Sequence, residues 1–182
     1  MSATTPSDAW LPAGGIPELF RLRAAEYRDR PFLFSWSPDG AWQPHSWAEL
    51  ALEVERAAGL LHGLGVRRGD RVILAAETRP EWHVADLAIM SLGAITVPLG
   101  LLAAAAEWRH ILADSEPAAA IVSARARAKF LEAGGATRAA RIVALDAADR
   151  PEGWLDWSAA PAAPAPFAAQ LADVCCLMYT SG

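Results

Sequence analysis

Residues 71–99 of this chain read RVILAAETRPEWHVADLAIMSLGAITVPL, a sequence in which two short apolar runs flank a longer stretch with helical spacing. The runs at 71–76 and 94–99 are continuously apolar, as expected for strands that are covered on both faces. Between them, Thr-Arg-Pro-Glu at 78–81 predicts the capped first turn of a helix, and Gly93 predicts its end. A strand, a helix and a second strand at this interval predict parallel strands joined by a right-handed crossover.

A β-hairpin and two helices are predicted before this stretch. Residues 32–36 and 41–43 contain several aromatic residues and flank Ser-Pro-Asp-Gly, which favours a tight turn between antiparallel strands. Ser46 and Glu49 form a capping-box pattern, in which each side chain accepts a hydrogen bond from the backbone N–H group of the other residue. The apolar residues that follow recur at helical spacing, and a shorter helix is predicted at 16–27.

The alternation of strand and helix continues after this stretch. The whole pattern predicts an α/β fold, with a mainly parallel sheet and helices on both of its faces. Residues 87–106 carry no charge and are long enough to span a bilayer, but glycine and proline interrupt them, so the end of a helix, a strand and the start of another helix are predicted instead. The further predicted elements are helices at 104–115 and 125–133 and strands at 118–122 and 141–145.

Residues 146–169 break this rhythm. They are rich in proline and alanine and are predicted to be a surface connection that Trp154 and Trp157 anchor. A last buried strand is predicted at 171–178, which brings residues 179–182 to the edge of the sheet where parallel α/β folds bind ligands. The Tyr-Thr-Ser-Gly sequence there suits phosphate binding, because small residues let backbone N–H groups approach and the hydroxyl groups add donors. An ordinary Ser-Gly turn is the alternative.

Composition and charge restrict the partners of the chain. It has 182 residues, a net charge of −5 and a pI near 5.3, with scattered basic residues, which argues against nucleic acid as the main partner. Its four histidines show no ligand spacing, so no metal site is predicted in this chain. Cys175 and Cys176 are predicted to be buried free thiols, which are typical of a reducing compartment. Residues 1–15 lack a secretory signal, so the cytoplasm is the expected location, with peripheral membrane contact as a further hypothesis.

Several short motifs occur in the order found in the amino-terminal part of the adenylate-forming enzymes, a group that includes acyl-CoA synthetases, the adenylation domains of peptide synthetases and luciferases. Arg-Pro-Glu-Trp at 79–82 and Glu-Trp-Arg-His at 107–110 are most similar to the long-chain fatty acyl-CoA synthetase branch. Tyr-Thr-Ser-Gly at 179–182 resembles the opening of the phosphate-binding loop, which in this family continues with Thr-Thr-Gly, any residue, and Pro-Lys-Gly. The other motifs are Ala-Ala-Glu-Tyr-Arg-Asp-Arg-Pro at 24–31, Ser-Trp-Ala-Glu-Leu at 46–50, Leu-Gly-Val-Arg-Arg-Gly-Asp-Arg-Val at 64–72, Leu-Gly-Ala-Ile-Thr-Val-Pro-Leu at 92–99 and Ile-Leu-Ala-Asp-Ser at 111–115.

The resemblance implies a ligase that uses ATP, Mg²⁺ and CoA. A fatty carboxylate attacks the α-phosphate of ATP to give acyl-AMP and pyrophosphate, and the CoA thiol then displaces AMP to give acyl-CoA. Thr180, Ser181 and Gly182 are then the first ATP-binding residues, because their hydroxyl and backbone N–H groups donate to phosphate oxygens. Tyr179 is expected to fix the chain in front of them rather than to contact the nucleotide.

The resemblance also implies how the chain is organised. Residues 16–182 correspond to the N-terminal portion of an AMP-binding (adenylation) domain and follow a flexible leader at 1–15. The rest of the phosphate loop, the acidic residue that helps bind magnesium, the ribose-binding Asp, the acyl pocket and the mobile carboxyl-terminal domain with its catalytic Lys correspond to positions beyond residue 182. No catalytic residue is therefore named, and the isolated chain is expected to be inactive. Gly-Leu-Leu-Ala at 100–103 departs from the family, which commonly has Tyr or Asn and then Pro there.

Two other functions fit these observations. The first is another acid-activating enzyme such as a fatty acyl-AMP ligase, and the second is a non-catalytic α/β module that binds a nucleotide or a protein. The prominent tryptophans Trp47, Trp82 and Trp108 have apolar neighbours at helical spacing and are predicted to pack in the core or an interface. The basic groups at 67–68 and 125–129 are expected to lie on solvated faces.

Overall fold

The computed structural model of the protein describes residues 12–148, 150–159 and 165–180. Its helices are α1 Gly15–Tyr27, α2 Trp47–Gly63, α3 Pro80–Ser91, α4 Ala105–Ser115, α5 Ala124–Glu132 and α6 Gly135–Arg138, and its strands are β1 Pro31–Trp36, β2 Trp42–Ser46, β3 Arg71–Ala75, β4 Ile95–Pro98, β5 Ala119–Val122, β6 Ile142–Ala144 and β7 Leu155–Asp156. Strands β3 to β7 form a parallel sheet in the order β4-β3-β5-β6-β7, and β1 and β2 form a separate antiparallel hairpin. The predicted α/β fold with a mainly parallel sheet is confirmed.

The sheet separates two apolar cores, because successive side chains of a strand point to opposite faces. In β3, Val72 and Leu74 belong to the core that contains α2 and α3, whereas Ile73 and Ala75 belong to the core that contains α4 and α5. All four side chains are 0% exposed. Helices therefore cover both faces of the sheet, as predicted, and the strand is continuously apolar because neither face meets water.

The predicted hairpin and the predicted capping box are both present. β1 pairs with β2 in antiparallel register, with Trp36 opposite Trp42. At the start of α2, the Glu49 N–H donates to Ser46 Oγ at 3.2 Å, and the Ser46 N–H donates to Glu49 Oε2 at 2.8 Å. The Glu49 N–H lies in the first turn and would otherwise lack a partner, so the Ser46 side chain stabilises the start of α2.

Replacing Ser46 with alanine is expected to lower the free energy of unfolding by about 1 kcal/mol, because the Glu49 N–H loses its acceptor. Urea denaturation of the purified chain measures this change. Ser46→Asp is the matched control, since aspartate caps helices as well as serine does and should keep the original stability. A Ser46→Ala chain as stable as the unchanged protein would show that the cap contributes nothing.

The start of α3 differs from its prediction. The N-cap residue is Arg79, and no side chain accepts a hydrogen bond there, so Thr78 does not cap the helix. Pro80 does occupy the first turn, as predicted. Glu81 accepts hydrogen bonds from the guanidinium group of Arg79 instead of serving as a cap, because these charge-assisted donors are stronger than a backbone N–H group. The end of α3 is as predicted, since Gly93 adopts a left-handed conformation with φ of 68°.

The uncharged run at 87–106 is divided, as predicted, among the end of α3, strand β4 and the start of α4. Trp108 lies on the same face of α4 as Ile111 and Leu112 and is 0% exposed, which confirms that it packs in the core. Within the described part of the chain, no helix is both long and apolar enough to cross a membrane.

Residues 146–169, part of which lies outside the described residues, contain a strand that the sequence did not predict. Strand β7 extends the sheet by pairing in parallel with β6. Trp154 is 7% exposed and meets Phe130 edge-on with ring centroids 5.9 Å apart, while Trp157 packs against the opposite core. The two tryptophans therefore anchor this connection, as predicted, but a strand of two residues is too short to give a periodic signal.

The predicted last strand at 171–178 is wrong. Only Cys176 makes a bridge, with Thr96 of β4, and no second strand pairs with this segment among the residues that the structure describes. Met178 is 70% exposed, and Cys175 and Cys176 are free but exposed, contrary to the predicted burial. An apolar run is buried only where neighbouring elements cover it, and here the described residues provide a strand on one side alone.

Candidate functional site at the carboxyl edge of the sheet

Charged side chains meet where β3, β5 and β6 end. Glu77 and Arg79 follow β3, Glu81 lies in the first turn of α3, Ser123 follows β5 and Asp146 follows β6. The strands are parallel, so their carboxyl ends lie at one edge of the sheet and bring these five residues together. We refer to them as the carboxyl-edge cluster.

Arg79 is at the centre of the carboxyl-edge cluster. Its Nε donates to Glu81 Oε2 at 2.8 Å and its Nη2 donates to Glu81 Oε1 at 3.0 Å, which is a bidentate pair. Its Nη1 donates to Asp146 Oδ1 at 2.8 Å and lies 3.5 Å from Glu77 Oε1. One guanidinium group therefore connects the end of β3, the start of α3 and the end of β6.

The other contacts of the carboxyl-edge cluster extend this connection to β5 and α5. Ser123 Oγ donates to Glu77 Oε2 at 2.7 Å, and Asp146 Oδ2 accepts a hydrogen bond from the Ala124 N–H at 2.7 Å. Ser123 also accepts from the Ala126 N–H at 3.3 Å and so caps α5. The cluster thus fixes the relative positions of three loops at the ligand-binding edge of the sheet.

The cluster keeps its members charged. The hydrogen bond with Glu81 raises the pKa of Arg79, an effect that burial opposes. Burial favours the neutral form of Glu81, but its hydrogen bonds and the charge of Arg79 outweigh burial and lower the pKa of this carboxyl. For Asp146, burial is likewise outweighed by the hydrogen bonds from Ala124 and Arg79, and its pKa is also lowered. Because each nitrogen of Arg79 donates to a carboxylate, the cluster has the properties of a structural centre rather than of a general acid or base.

The stability of the protein is expected to decrease in acid because of Glu81 and Asp146. Their pKa values in the folded state are lower than the ordinary values of 4.5 and 3.8, so their stabilising effect is present above those values and is lost as the pH falls through the lowered ones. Thermal unfolding followed by circular dichroism between about pH 7 and about pH 3 measures this loss. The Arg79→Leu variant is the control and should show a weaker pH dependence. An unchanged melting temperature across this range would contradict the expectation.

Residues 165–180, which we refer to as the C-terminal segment, lie beside β4 at the open edge of the sheet. The Thr96 N–H donates to the Cys175 carbonyl at 3.0 Å, and the Leu177 N–H donates to the Thr96 carbonyl at 2.9 Å. This bridge is parallel, so the segment runs past β4 in the direction of the carboxyl edge. Thr180 comes after the bridge and is exposed, whereas Ser181 and Gly182 lie outside the described residues.

Tyr179 attaches the end of this segment to α4. Its hydroxyl donates to Asp114 Oδ2 at 2.6 Å, and its ring lies edge-on to the His110 ring with centroids 6.2 Å apart. Burial raises the pKa of the Tyr179 phenol to about 12, and the hydrogen bond and the charge of Asp114 act in the same direction, while Arg71 opposes them. The phenol is therefore neutral at physiological pH and donates to Asp114. Tyr179 fixes the chain in front of Thr180, as expected.

The connection after β4, in which this chain departs from the family pattern, is organised by two side chains. Trp108 Nε1 donates to the Gly100 carbonyl at 3.0 Å. Lys129 Nζ donates to the carbonyls of Leu101 and Ala103 at 2.6 and 2.7 Å, and it lies 5.3 Å from the centroid of the Trp108 ring. The prediction of a solvated face is therefore wrong for Lys129, because exposed backbone carbonyls across the core edge offer acceptors that helical spacing does not reveal.

Sequence reasoning did not find several residues that shape this edge. Arg79 and Asp146 are far apart in the sequence, and the only available signal was that charged residues directly follow predicted strands. Asp114 lies within a quoted motif, but nothing in the sequence indicated that it bonds to Tyr179. Of the predicted ATP-binding residues, Thr180 is described, and its neighbours on one side are the anchored Tyr179 and the bridge to β4.

The parallel sheet, the helices on both faces and the polar carboxyl edge define the chain as an α/β protein of the class that binds ligands where its strands end. The chain belongs to the AMP-binding enzyme family, whose model matches residues 20–182.

Named relatives are CoA ligases. The chain is 36% identical over 152 residues to the long-chain-fatty-acid–CoA ligase FadD15 of Mycobacterium tuberculosis, which covers 79% of this chain and 25% of that protein. It is 36% identical over 137 residues to the feruloyl-CoA synthase of an Amycolatopsis species, which covers 75% of this chain and 26% of that protein. The solved structure of the anthranilate CoA ligase AuaEII in complex with anthranoyl-AMP is similar with a TM-score of 0.77 at 25% identity, over 96% of this chain and 34% of that chain. The chain thus spans about a quarter of the length of the two named sequence relatives.

Proposed function

We propose that this chain is the amino-terminal part of an ATP-dependent fatty acid–CoA ligase, made of a leader at 1–15 and an incomplete adenylation domain at 16–182. The observation that carries this proposal is the 36% identity to a long-chain fatty acid ligase over 79% of the chain, together with the family match over residues 20–182. The Arg-Pro-Glu-Trp sequence at 79–82 supports the same branch. In the structure it contributes Arg79 and Glu81 to the carboxyl-edge cluster.

In the proposed reaction, a carboxylate and the α-phosphate of ATP must approach each other although both are negatively charged. Donors that are already oriented towards the phosphates lower this barrier, since they need no reorganisation during the reaction. We assign Thr180, Ser181 and Gly182 as the first of these donors. Thr180 supports this assignment because its exposed side chain follows a segment that the β4 bridge and Tyr179 anchor.

The proposed reaction uses ATP and CoA, and Mg²⁺ would supply charge neutralisation on the phosphates when bound. Among the residues described here, no group of three His, Cys, Asp or Glu side chains is placed to hold a metal ion. We therefore assign no magnesium ligand within this chain. The contribution proposed for these residues is to position the phosphate loop and to donate hydrogen bonds to the nucleotide.

A second candidate substrate is an aromatic acid. The identity to a feruloyl-CoA synthase is the same 36%, although over fewer residues. ATP–pyrophosphate exchange by the protein translated from the whole reading frame separates these candidates, with medium-chain and long-chain fatty acids, ferulate and amino acids as substrates. Exchange stimulated by fatty acids supports the proposal. Exchange driven only by ferulate supports the second candidate, and exchange driven only by amino acids contradicts both.

The 182-residue chain alone is expected to form no acyl-CoA from fatty acid, ATP and CoA. The resemblance assigns the ribose-binding Asp, the acyl pocket and the catalytic Lys to positions beyond residue 182. The measurement is product formation by mass spectrometry, with the protein from the whole reading frame as positive control. If the purified 182-residue chain forms acyl-CoA, these functions must be supplied within it, and the proposed organisation is wrong.

A further inference from the structure

The C-terminal segment has little regular structure but is attached to the rest of the protein by two side-chain contacts, which we refer to as the segment anchors. One anchor is the ion pair between Arg68 and Asp173, and the other is the hydrogen bond from Tyr179 to Asp114. They lie on opposite sides of the single bridge at Cys176. The segment is therefore fixed before the bridge, at the bridge and after it.

The first anchor requires close approach of three parts of the chain. Arg68 Nη2 donates to both carboxylate oxygens of Asp173, at 2.5 and 2.7 Å, and Asp173 Oδ2 also accepts from the Gln170 N–H at 2.8 Å. Gly93 lies against this pair, since a Cβ atom there would come 3.0 Å from Arg68 Cγ and 3.1 Å from Asp173 Oδ2. Glycine at 93, which also has a positive φ, thus leaves room for the ion pair.

The second anchor acts next to the predicted phosphate loop. A hydroxyl that donates to a carboxylate forms a charge-assisted hydrogen bond, which is stronger than a neutral one. Tyr179 is joined to Thr180 by one peptide bond, so the Tyr179–Asp114 contact restricts where Thr180 can lie. The backbone bridge alone is a weak restraint, because it consists of two hydrogen bonds at an exposed edge.

We infer that Asp114, acting through Tyr179, and Arg68, acting through Asp173, are positioning residues that hold Thr180 and the phosphate loop at the carboxyl edge of the sheet. This inference rests on the proposed function. Positioning matters for phosphoryl chemistry, because donors displaced by about 1 Å stabilise the transition state much less well. Neither Asp114 nor Arg68 needs to contact ATP for this role.

Amide hydrogen exchange on the 182-residue chain tests the anchors without any activity. Tyr179→Phe keeps the ring and removes the hydroxyl, so the Leu177 N–H, which donates to Thr96, is expected to exchange about tenfold faster. The Leu99 N–H, which donates to Leu74 in the sheet, is expected to exchange at an unchanged rate. Tyr27→Phe, at the other tyrosine of the chain, is the matched control. An unchanged Leu177 rate in Tyr179→Phe would overturn the second anchor.

Arg68→Gln tests the first anchor in the same way. It is expected to speed exchange at Leu177, whereas Arg67→Gln should not, because Arg67 donates to the nearby carbonyls of His62 and Val66. Equal effects of the two glutamine variants would overturn a specific role for Arg68.

The ligase translated from the whole reading frame tests positioning of the loop. In ATP–pyrophosphate exchange, Asp114→Asn and Tyr179→Phe are each expected to raise the KM for ATP about tenfold and to change the KM for the fatty acid less than about twofold. The double variant should be no worse than either single variant, since both remove the same bond. Equal increases in both KM values would indicate general damage and overturn the inference. Faster Leu177 exchange combined with no exchange activity in the unchanged protein would support the anchors and overturn the proposed function.

Discussion

Replacing Trp108 with alanine is expected to lower the free energy of unfolding by about 4 kcal/mol, the largest effect of any single change considered for this protein. Trp108 is 0% exposed and lies between α4 and the sheet, so its removal leaves a cavity that the surrounding β3, β5 and α5 side chains cannot fill. The loss also removes the Nε1 hydrogen bond to Gly100. Urea denaturation of the purified chain gives the difference directly.

Two control variants make the Trp108 result specific. Trp42→Ala applies the same change to a side chain that is 64% exposed, and it is expected to cost less than about 1 kcal/mol. Trp108→Phe keeps most of the volume but not the hydrogen bond, and an intermediate loss of about 2 kcal/mol is expected. If Trp108→Ala and Trp42→Ala had similar effects, the described core would be incorrect.

Replacing Arg79 with leucine is expected to lower the free energy of unfolding by about 2 kcal/mol, because Glu81 and Asp146 would remain charged without their shared partner. The figure lies below the range for fully buried pairs, since the Arg79 and Asp146 side chains each keep 27% of their exposure. Thermal and urea unfolding at neutral pH measure the change.

The geometry of Arg79 can be tested separately from its charge. Arg79→Lys keeps the positive charge but cannot form the bidentate pair with Glu81, so it is expected to recover only part of the lost stability. Arg23→Leu is the matched control and should leave stability nearly unchanged, because its ion pair with Glu26 is exposed to water. Full recovery by lysine would show that charge alone matters, and no loss in Arg79→Leu would show that the cluster is not stabilising.

The wrong prediction of a last strand illustrates a general difference between composition and burial. Residues 171–178 have the apolar composition of a buried strand, and the segment does lie beside β4 as such a strand would. Burial depends on elements at both of its edges and faces, and these are not encoded in the segment itself. The structural consequence is that Cys175, Cys176 and Met178 are exposed among the described residues.

The candidate site was only partly predictable for a related reason. The order of strands and helices indicated where ligands bind, and the Tyr-Thr-Ser-Gly sequence indicated what kind of ligand to expect. The residues that support this position could not be found in the same way. Asp114 and Tyr179 are 65 positions apart, and Arg68 and Asp173 are 105 positions apart, so no local pattern relates them.

The sequence by itself determined the α/β class, the bounds of most helices and strands and the family resemblance. These features depend on interactions between residues close together in the chain: the apolar period of a helix or strand, the capping box of Ser46 and Glu49, and the left-handed glycine at 93. Only the tertiary structure decided the strand order, the short strand β7, the partners of Arg79 and Lys129, and the exposure of the C-terminal segment. Each of these depends on which distant groups the folded chain brings within contact distance, and on how much water that packing removes.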